Sequence, residues 1–120
     1  MKAKAGRLAL ADMRGASITV SNLGGIGTSG VFPLINWPEA SILGVGASEW
    51  LPLYPDGDTK RPPEPHLIMT LTLAFDHRLI NGADGARFLQ RIKVLLESPF
   101  LLLFKPQDLR VESSLEKKLK

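Results

Sequence analysis

Cysteine is absent from all 120 residues. That excludes a disulfide scaffold, cysteine-ligated zinc and a protein thiol nucleophile, and it suits a reducing compartment. Charge of one sign is scarce too: 15 basic residues against 12 acidic ones leave +3, and Lys117, Lys118 and Lys120 supply much of that excess. No basic stripe is interleaved with aromatics, so a nucleic-acid partner is not expected. No apolar run approaches the roughly 20 residues that cross a bilayer, and Met1 to Met13 has no sustained apolar stretch. Neither a membrane span nor a signal peptide is expected, and the reading is cytoplasmic. Hydrophobic residues at 44% and charged residues at 22% exclude wholesale disorder and suit one globular domain with a modest core. No internal repeat is present.

Periodicity marks the elements. Residues 1–16 read as a short helix end or arm, closed by a turn at Arg14-Gly15. Ser17 to Ser21 alternates: Ile18 and Val20 on one side, Ser17, Thr19 and Ser21 on the other, a half-buried strand with a hydroxyl face. Gly24 to Gly30 is a glycine-rich turn, and Pro33 and Pro38 keep the next stretch irregular. Ala40 to Val45 reads as a mostly buried strand. Residues 52–65 hold five of the nine prolines and read as a surface loop or a wide hairpin connection. In Leu67 to Ala74 the odd positions are large and apolar, which predicts a strand with one core face. From Ala83 to Glu97 the period becomes helical, with Phe88, Leu89, Ile92, Leu95 and Leu96 on one stripe. Asn81 is the expected N-cap, Asp84 sits in the first turn where the dipole favours it, and Pro99 stops the helix. Leu101 to Phe104 reads as a strand or docking segment. Residues 105–120 form a charged tail, with one weak amphipathic turn at Leu115 and Leu119.

Three places are candidates for chemistry. Gly25-Ile26-Gly27-Thr28-Ser29-Gly30 matches G-x-G-x-x-G, but a dinucleotide site needs a helix next, and Pro33 forbids one. It is read as a plain turn. His66 and His77 are the only side chains that ordinarily titrate near neutrality. His66 follows Pro65 and is read as solvated, whereas His77 lies at a strand end before a glycine and a helix, a junction that exposes a side chain on an anchored backbone. Asp76 and Arg78 flank it as a local ion pair. The hydroxyl face of Ser17, Thr19 and Ser21 is either an edge strand bonding its own turns or the source of one hydroxyl shared with His77.

Four segments in order, Ser17-Ile-Thr-Val-Ser-Asn-Leu-Gly24, Pro33-Leu-Ile-Asn-Trp-Pro-Glu39, Ile42-Leu-Gly-Val-Gly46 and Phe75-Asp-His-Arg-Leu-Ile-Asn-Gly-Ala83, together resemble the dihydrolipoamide acyltransferases. These are the E2 components of 2-oxo acid dehydrogenase complexes. The resemblance covers residues 5–103 and falls on the C-terminal half of their catalytic domain, so residues 1–104 are assigned to that half. It implies an α+β, chloramphenicol-acetyltransferase-like fold, present in part: a mixed sheet with covering helices, assembled as trimers. It implies acyl transfer between coenzyme A, as substrate, and dihydrolipoamide, whose lipoyl group another domain or chain supplies, with no metal. His77 is implied as general base, Ser21 of a neighbouring subunit as oxyanion donor, and Asn81 as the residue that orients the site by hydrogen bonding. Asp76 and Arg78 support the local structure. The implied partners are copies of this chain, a lipoyl domain, the E1 and E3 components, or a separately encoded N-terminal half. The rival reading is a truncated, non-catalytic assembly module that oligomerises without turnover.

Overall fold

A computed structural model describes residues 2–103. The phenylalanine ending the predicted 101–104 segment and the tail 105–120 lie outside the described residues. The chain divides into two compact units, Met1–Gly85 and Ala86–Lys120.

The first unit is built on a three-stranded mixed sheet in the order β1-β2-β3, formed by β1 Thr19–Asn22, β2 Ser41–Leu53 and β3 Glu64–Phe75. β1 pairs parallel with β2, Ser21 opposite Gly44; β2 pairs antiparallel with β3, Gly44 opposite Thr72. The start of β2 is central, and Ser41, Ile42, Leu43 and Gly44 are buried. Val31 packs on Gly44, where an added β-carbon would sit 3.0 Å from Val31 Cγ1. Val31, Ile42 and Leu43 are the buried hydrophobic residues among those described.

The segment after β1 is stitched onto β2. Leu23 N–H donates to the Val45 carbonyl at 3.0 Å, and Ala47 N–H donates to the Thr28 carbonyl at 2.8 Å. Ala47 can do so because β2 bulges between Val45 and Ser48, which turns its amide away from β3. Gly46 lets the Ser29 carbonyl lie against the bulge where a β-carbon would collide, and Ser29 Oγ donates to the Glu49 carboxylate.

Several sequence expectations need correction. The proline-rich loop is shorter than predicted, because β2 runs to Leu53 and β3 starts at Glu64, with Pro52 opposite Pro65. Beyond Val45 the sheet is a two-stranded ribbon, in which alternate amides face solvent, so a proline there need not cost a ladder bond. His66 therefore lies in a strand, opposite Leu51, and is exposed as expected. The predicted core face of β3 holds only for Leu71 and Leu73, which are half-buried; Leu67 and Met69 lie on the ribbon and are exposed. Ser17 is exposed and Ile18 half-buried, but within β1 the burial is reversed: Thr19 and Ser21 are half-buried, and Val20 is 60% exposed. No α-helix follows the glycine motif; Gly24–Ile26 is a single 3-10 turn. The N-terminal arm carries a 3-10 turn, Leu10–Met13, tied down by Lys2 Nζ to Asp12 at 2.9 Å.

The helix α1 spans Gly82–Glu97, one residue longer than predicted. Asn81 caps it: Oδ1 accepts from Asp84 N–H at 2.9 Å. In the second unit Leu89, Ile92 and Leu95 are half-buried, while Phe88 and Leu96, on the same predicted stripe, stay about half exposed. After α1 comes a 3-10 helix, Pro99–Leu103, in place of the strand allowed for this segment. Proline at its first position lacks the amide that a ladder would need.

Candidate active site

Asp76 organises the turn that carries His77. Its N–H donates to the Ala40 carbonyl at 2.9 Å, so the chain stays on the line of β3 one residue past the last pair, Ser41 and Phe75. Its carbonyl accepts from Leu79 and Ile80 N–H, both at 3.0 Å. Its carboxylate accepts the Arg78 backbone N–H at 3.0 Å and the guanidinium at 2.6 to 3.1 Å. The Arg78 guanidinium and then its backbone N–H hold the Asp76 carboxyl down at about 2. Asp76 in turn pushes Arg78 up. The two flanking charges are thus spent on each other, and they brace the turn.

His77 stands exposed on this braced turn. Its ring lies 5.6 Å from that of Phe75, tilted by 40°. Its Nε2 is 3.7 Å from where a β-carbon on Gly82 would be, so the imidazole edge rests on the start of α1. Asn81 is committed to that same start. Besides accepting from Asp84 N–H, its Nδ2 donates to Asp84 Oδ2 at 2.6 Å. Asn81 therefore fixes the backbone just beyond His77.

Ser21 lies elsewhere. It shares a row of the sheet with Gly44 and Thr72. Phe75 is three residues further along and two strands across, about 14 Å from Ser21 by ordinary sheet spacings, and Asp76 carries the chain onward. The Ser21 hydroxyl makes no hydrogen bond among the described residues, whereas Thr19 Oγ1 on the same face donates to Glu39 Oε2 at 2.6 Å. So one protomer brings together Asp76, His77, Arg78 and Asn81 and leaves Ser21 apart.

Sequence reasoning missed Glu39, Phe75 and Gly85. Glu39 had a signal: Asn36 and Glu39 stand three apart around Trp37-Pro38, a spacing that suits a side-chain-closed turn. Asn36 Nδ2 does donate to Glu39 Oε1 at 3.0 Å. Phe75 against Gly85 had none, because the contact joins residues ten apart across the His77 turn and no local pattern marks it.

No group of three or more histidine, aspartate or glutamate residues among those described could hold a metal ion. No helix among them is long and apolar enough to cross a membrane.

The 2-oxoacid dehydrogenases acyltransferase (catalytic domain) family matches residues 1–104. The chain belongs to that family. It is 45% identical over 101 residues to the dihydrolipoyllysine-residue acetyltransferase component of pyruvate dehydrogenase complex from Mycoplasma capricolum, covering 84% of this chain and 22% of that protein. Among solved structures it resembles the Azotobacter vinelandii dihydrolipoamide acetyltransferase, in which a serine, a histidine and an asparagine four positions after it were investigated for their role in catalysis. That likeness has TM-score 0.74 and 37% identity, over 86% of this chain and 41% of that one. The cubic core of the pyruvate dehydrogenase multienzyme complex matches with TM-score 0.74 and 38% identity, over 86% and 41%. The chain thus spans about a fifth of that curated relative and two fifths of the solved chains.

Proposed function

We propose that this chain supplies the histidine side and the serine side of two successive acyltransferase sites, each completed by a neighbouring protomer, and that it moves an acyl group between coenzyme A and dihydrolipoamide. One observation carries the reading: an exposed histidine on a braced turn, followed four residues later by the asparagine that caps the next helix. The Azotobacter enzyme has the same histidine-to-asparagine spacing.

The chemistry follows from the groups. A thiol with an ordinary pKa of about 8.5 is mostly protonated at neutral pH, and the thiolate is the nucleophile. Neutral His77 takes the thiol proton. The thiolate attacks the thioester carbonyl carbon, and the carbonyl oxygen becomes an oxyanion that Ser21 Oγ–H stabilises. When the intermediate collapses, the C–S bond to the departing thiol breaks, and that sulfur recovers the proton from His77. The step conserves charge and runs in either direction. Asn81 acts on it by position, through the cap that holds the backbone after His77; Asp76 and Arg78 act by bracing the turn before it.

The register supports a shared site. Within a protomer Ser21 and His77 are too far apart to touch one carbonyl, so the serine facing a given histidine belongs to another copy. Val20 on the edge strand and Ile26 on the 3-10 turn after it are 60% and 79% exposed, apolar surface that suits a subunit contact. The mixed sheet and helix fit part of a chloramphenicol-acetyltransferase-like fold, assembled as trimers and served by a lipoyl group on another domain or chain, alongside E1 and E3 components. The test is transfer from acetyl-CoA to dihydrolipoamide by the full protein carrying this chain. Replacing His77 by Ala should lower kcat about 10²- to 10⁴-fold with solution mass and melting temperature unchanged. Full activity in that variant would end the proposal, and a stable oligomer without any transfer would leave the assembly-module reading in its place.

A further inference from the structure

We infer that Glu39 is a positioning residue for Ser21, acting through Thr19, and that the Glu39–Ala40 step is where both sides of the site are referenced to the central strand. β1 is four residues long and, among the described residues, lies at the edge of the sheet, paired with β2 alone. Such a strand has little of its own to set how far it slides or rolls. Thr19 and Ser21 are two residues apart, so they share a face, and whatever holds the Thr19 side chain sets the direction in which Ser21 points.

Glu39 holds it through one oxygen, and its other oxygen is engaged as well. Oε2 accepts Thr19 Oγ1–H at 2.6 Å, in a part-buried position. Oε1 accepts Asn36 Nδ2–H at 3.0 Å, and Glu39 N–H donates to the Asn36 carbonyl at 2.9 Å. The carboxylate is therefore fixed by its own turn before it takes the threonine, and a bond to an ionised acceptor is stronger than a neutral one. The next residue, Ala40, accepts Asp76 N–H at 2.9 Å. One step of backbone thus anchors the Ser21 strand by a side chain and the His77 turn by a carbonyl. In an oligomer with a shared site, the same step in each protomer aims its serine at one neighbour and its histidine at the other.

The catalytic half of this inference rests on Ser21 being the oxyanion donor; the structural half does not. Both are tested on the full protein. Thr19→Val keeps the shape and removes the donor, and Glu39→Ala removes the acceptor. Each should speed amide exchange in β1 by about tenfold or more while β3 stays protected. Each should lower kcat about 10- to 100-fold, the size of effect a displaced catalytic group produces, with KM for both thiols changed by less than about twofold. The double variant should be no worse than Glu39→Ala alone, because the Thr19–Glu39 bond is already gone there. Glu39→Gln retains an acceptor for Thr19 once Asn36 turns its amide, and should recover activity to within about threefold of wild type. Unchanged β1 exchange in Thr19→Val, or additive losses in the double variant, would overturn the role of Glu39. Faster β1 exchange together with full activity in Ser21→Ala would leave the anchor standing and overturn the serine assignment, and the catalytic half with it.

Discussion

The ring of Phe75 fills the space that a β-carbon on Gly85 would need, with Cε1 2.5 Å and Cζ 2.8 Å from that position. Gly85, on the first turn of α1, is buried, and Phe75 ends β3 two residues before His77. The strand end and the helix start are thereby clamped on either side of the histidine turn. Glycine inside a helix costs about 1 kcal/mol relative to alanine, so its use here reflects the close approach. Gly85→Ala should gain that amount and lose up to about 3 kcal/mol to overpacking, because the clash is with ring carbons below 3 Å; the net loss, up to about 2 kcal/mol, should lower the melting temperature by several degrees. Scanning calorimetry checks it, and a higher melting temperature would show that the ring moves aside freely.

A site shared between protomers, as proposed above, predicts complementation. His77→Ala and Ser21→Ala should each be nearly inactive alone. Co-expressed at equal levels, they should recover about one quarter of wild-type activity, because a heterologous interface between randomly mixed copies pairs an intact histidine with an intact serine at that frequency. Recovery at the level of the inactive parents would place both groups in one protomer.

Asn81 should be separable into cap and side-chain identity. Asn81→Ala removes the acceptor for Asp84 N–H and should cost about 1 kcal/mol of stability. It should also lower kcat, by loosening the backbone after His77. Asn81→Ser restores a capping oxygen and should recover most of the stability by thermal denaturation. Equal stability in the alanine and serine variants would remove the cap from the account.

Acid should act through Asp76. Its carboxyl sits at about 2 in the folded chain against an ordinary 3.8. A lowered folded value means that its contribution is complete above about pH 4 and is lost as the pH falls from there to about 2. Arg78→Ala removes the guanidinium and leaves the backbone N–H, so the Asp76 carboxyl should titrate nearer its ordinary value, and stability should vary less across that interval. Carbon-detected NMR titration of the Asp76 carboxyl reads the shift directly; an unmoved titration would show that Arg78 is not its cause.

The local pieces were legible in the chain because their causes are local. The helix announced itself through the stripe of Leu89, Ile92 and Leu95, its cap through Asn81 and its stop through Pro99. As Pro33 predicted, no helix follows the glycine motif. The four ordered segments pointed to the family, and His77 stood out by its junction. Less local features were read poorly. Pro52 and Pro65 suggested a loop, yet a two-stranded ribbon has solvent-facing amide positions that tolerate them. Leu67 and Met69 looked like core, yet β1 reaches only as far as Val45 along β2, and among the described residues the ribbon beyond that point stays uncovered.

The order of residues by itself determined where period, capping and proline favour strand and helix, since these act within a few residues, and which side chains are of a type that exchanges protons near neutrality. Only the tertiary structure decided that β1 runs parallel to β2 with Ser21 beside Gly44, that Thr19 is taken by Glu39, and that Ser21 and His77 part company within a chain. Register and strand direction are choices between distant segments with similar local preferences, and a β-strand pattern of period two is indifferent to which partner, or which row, it meets.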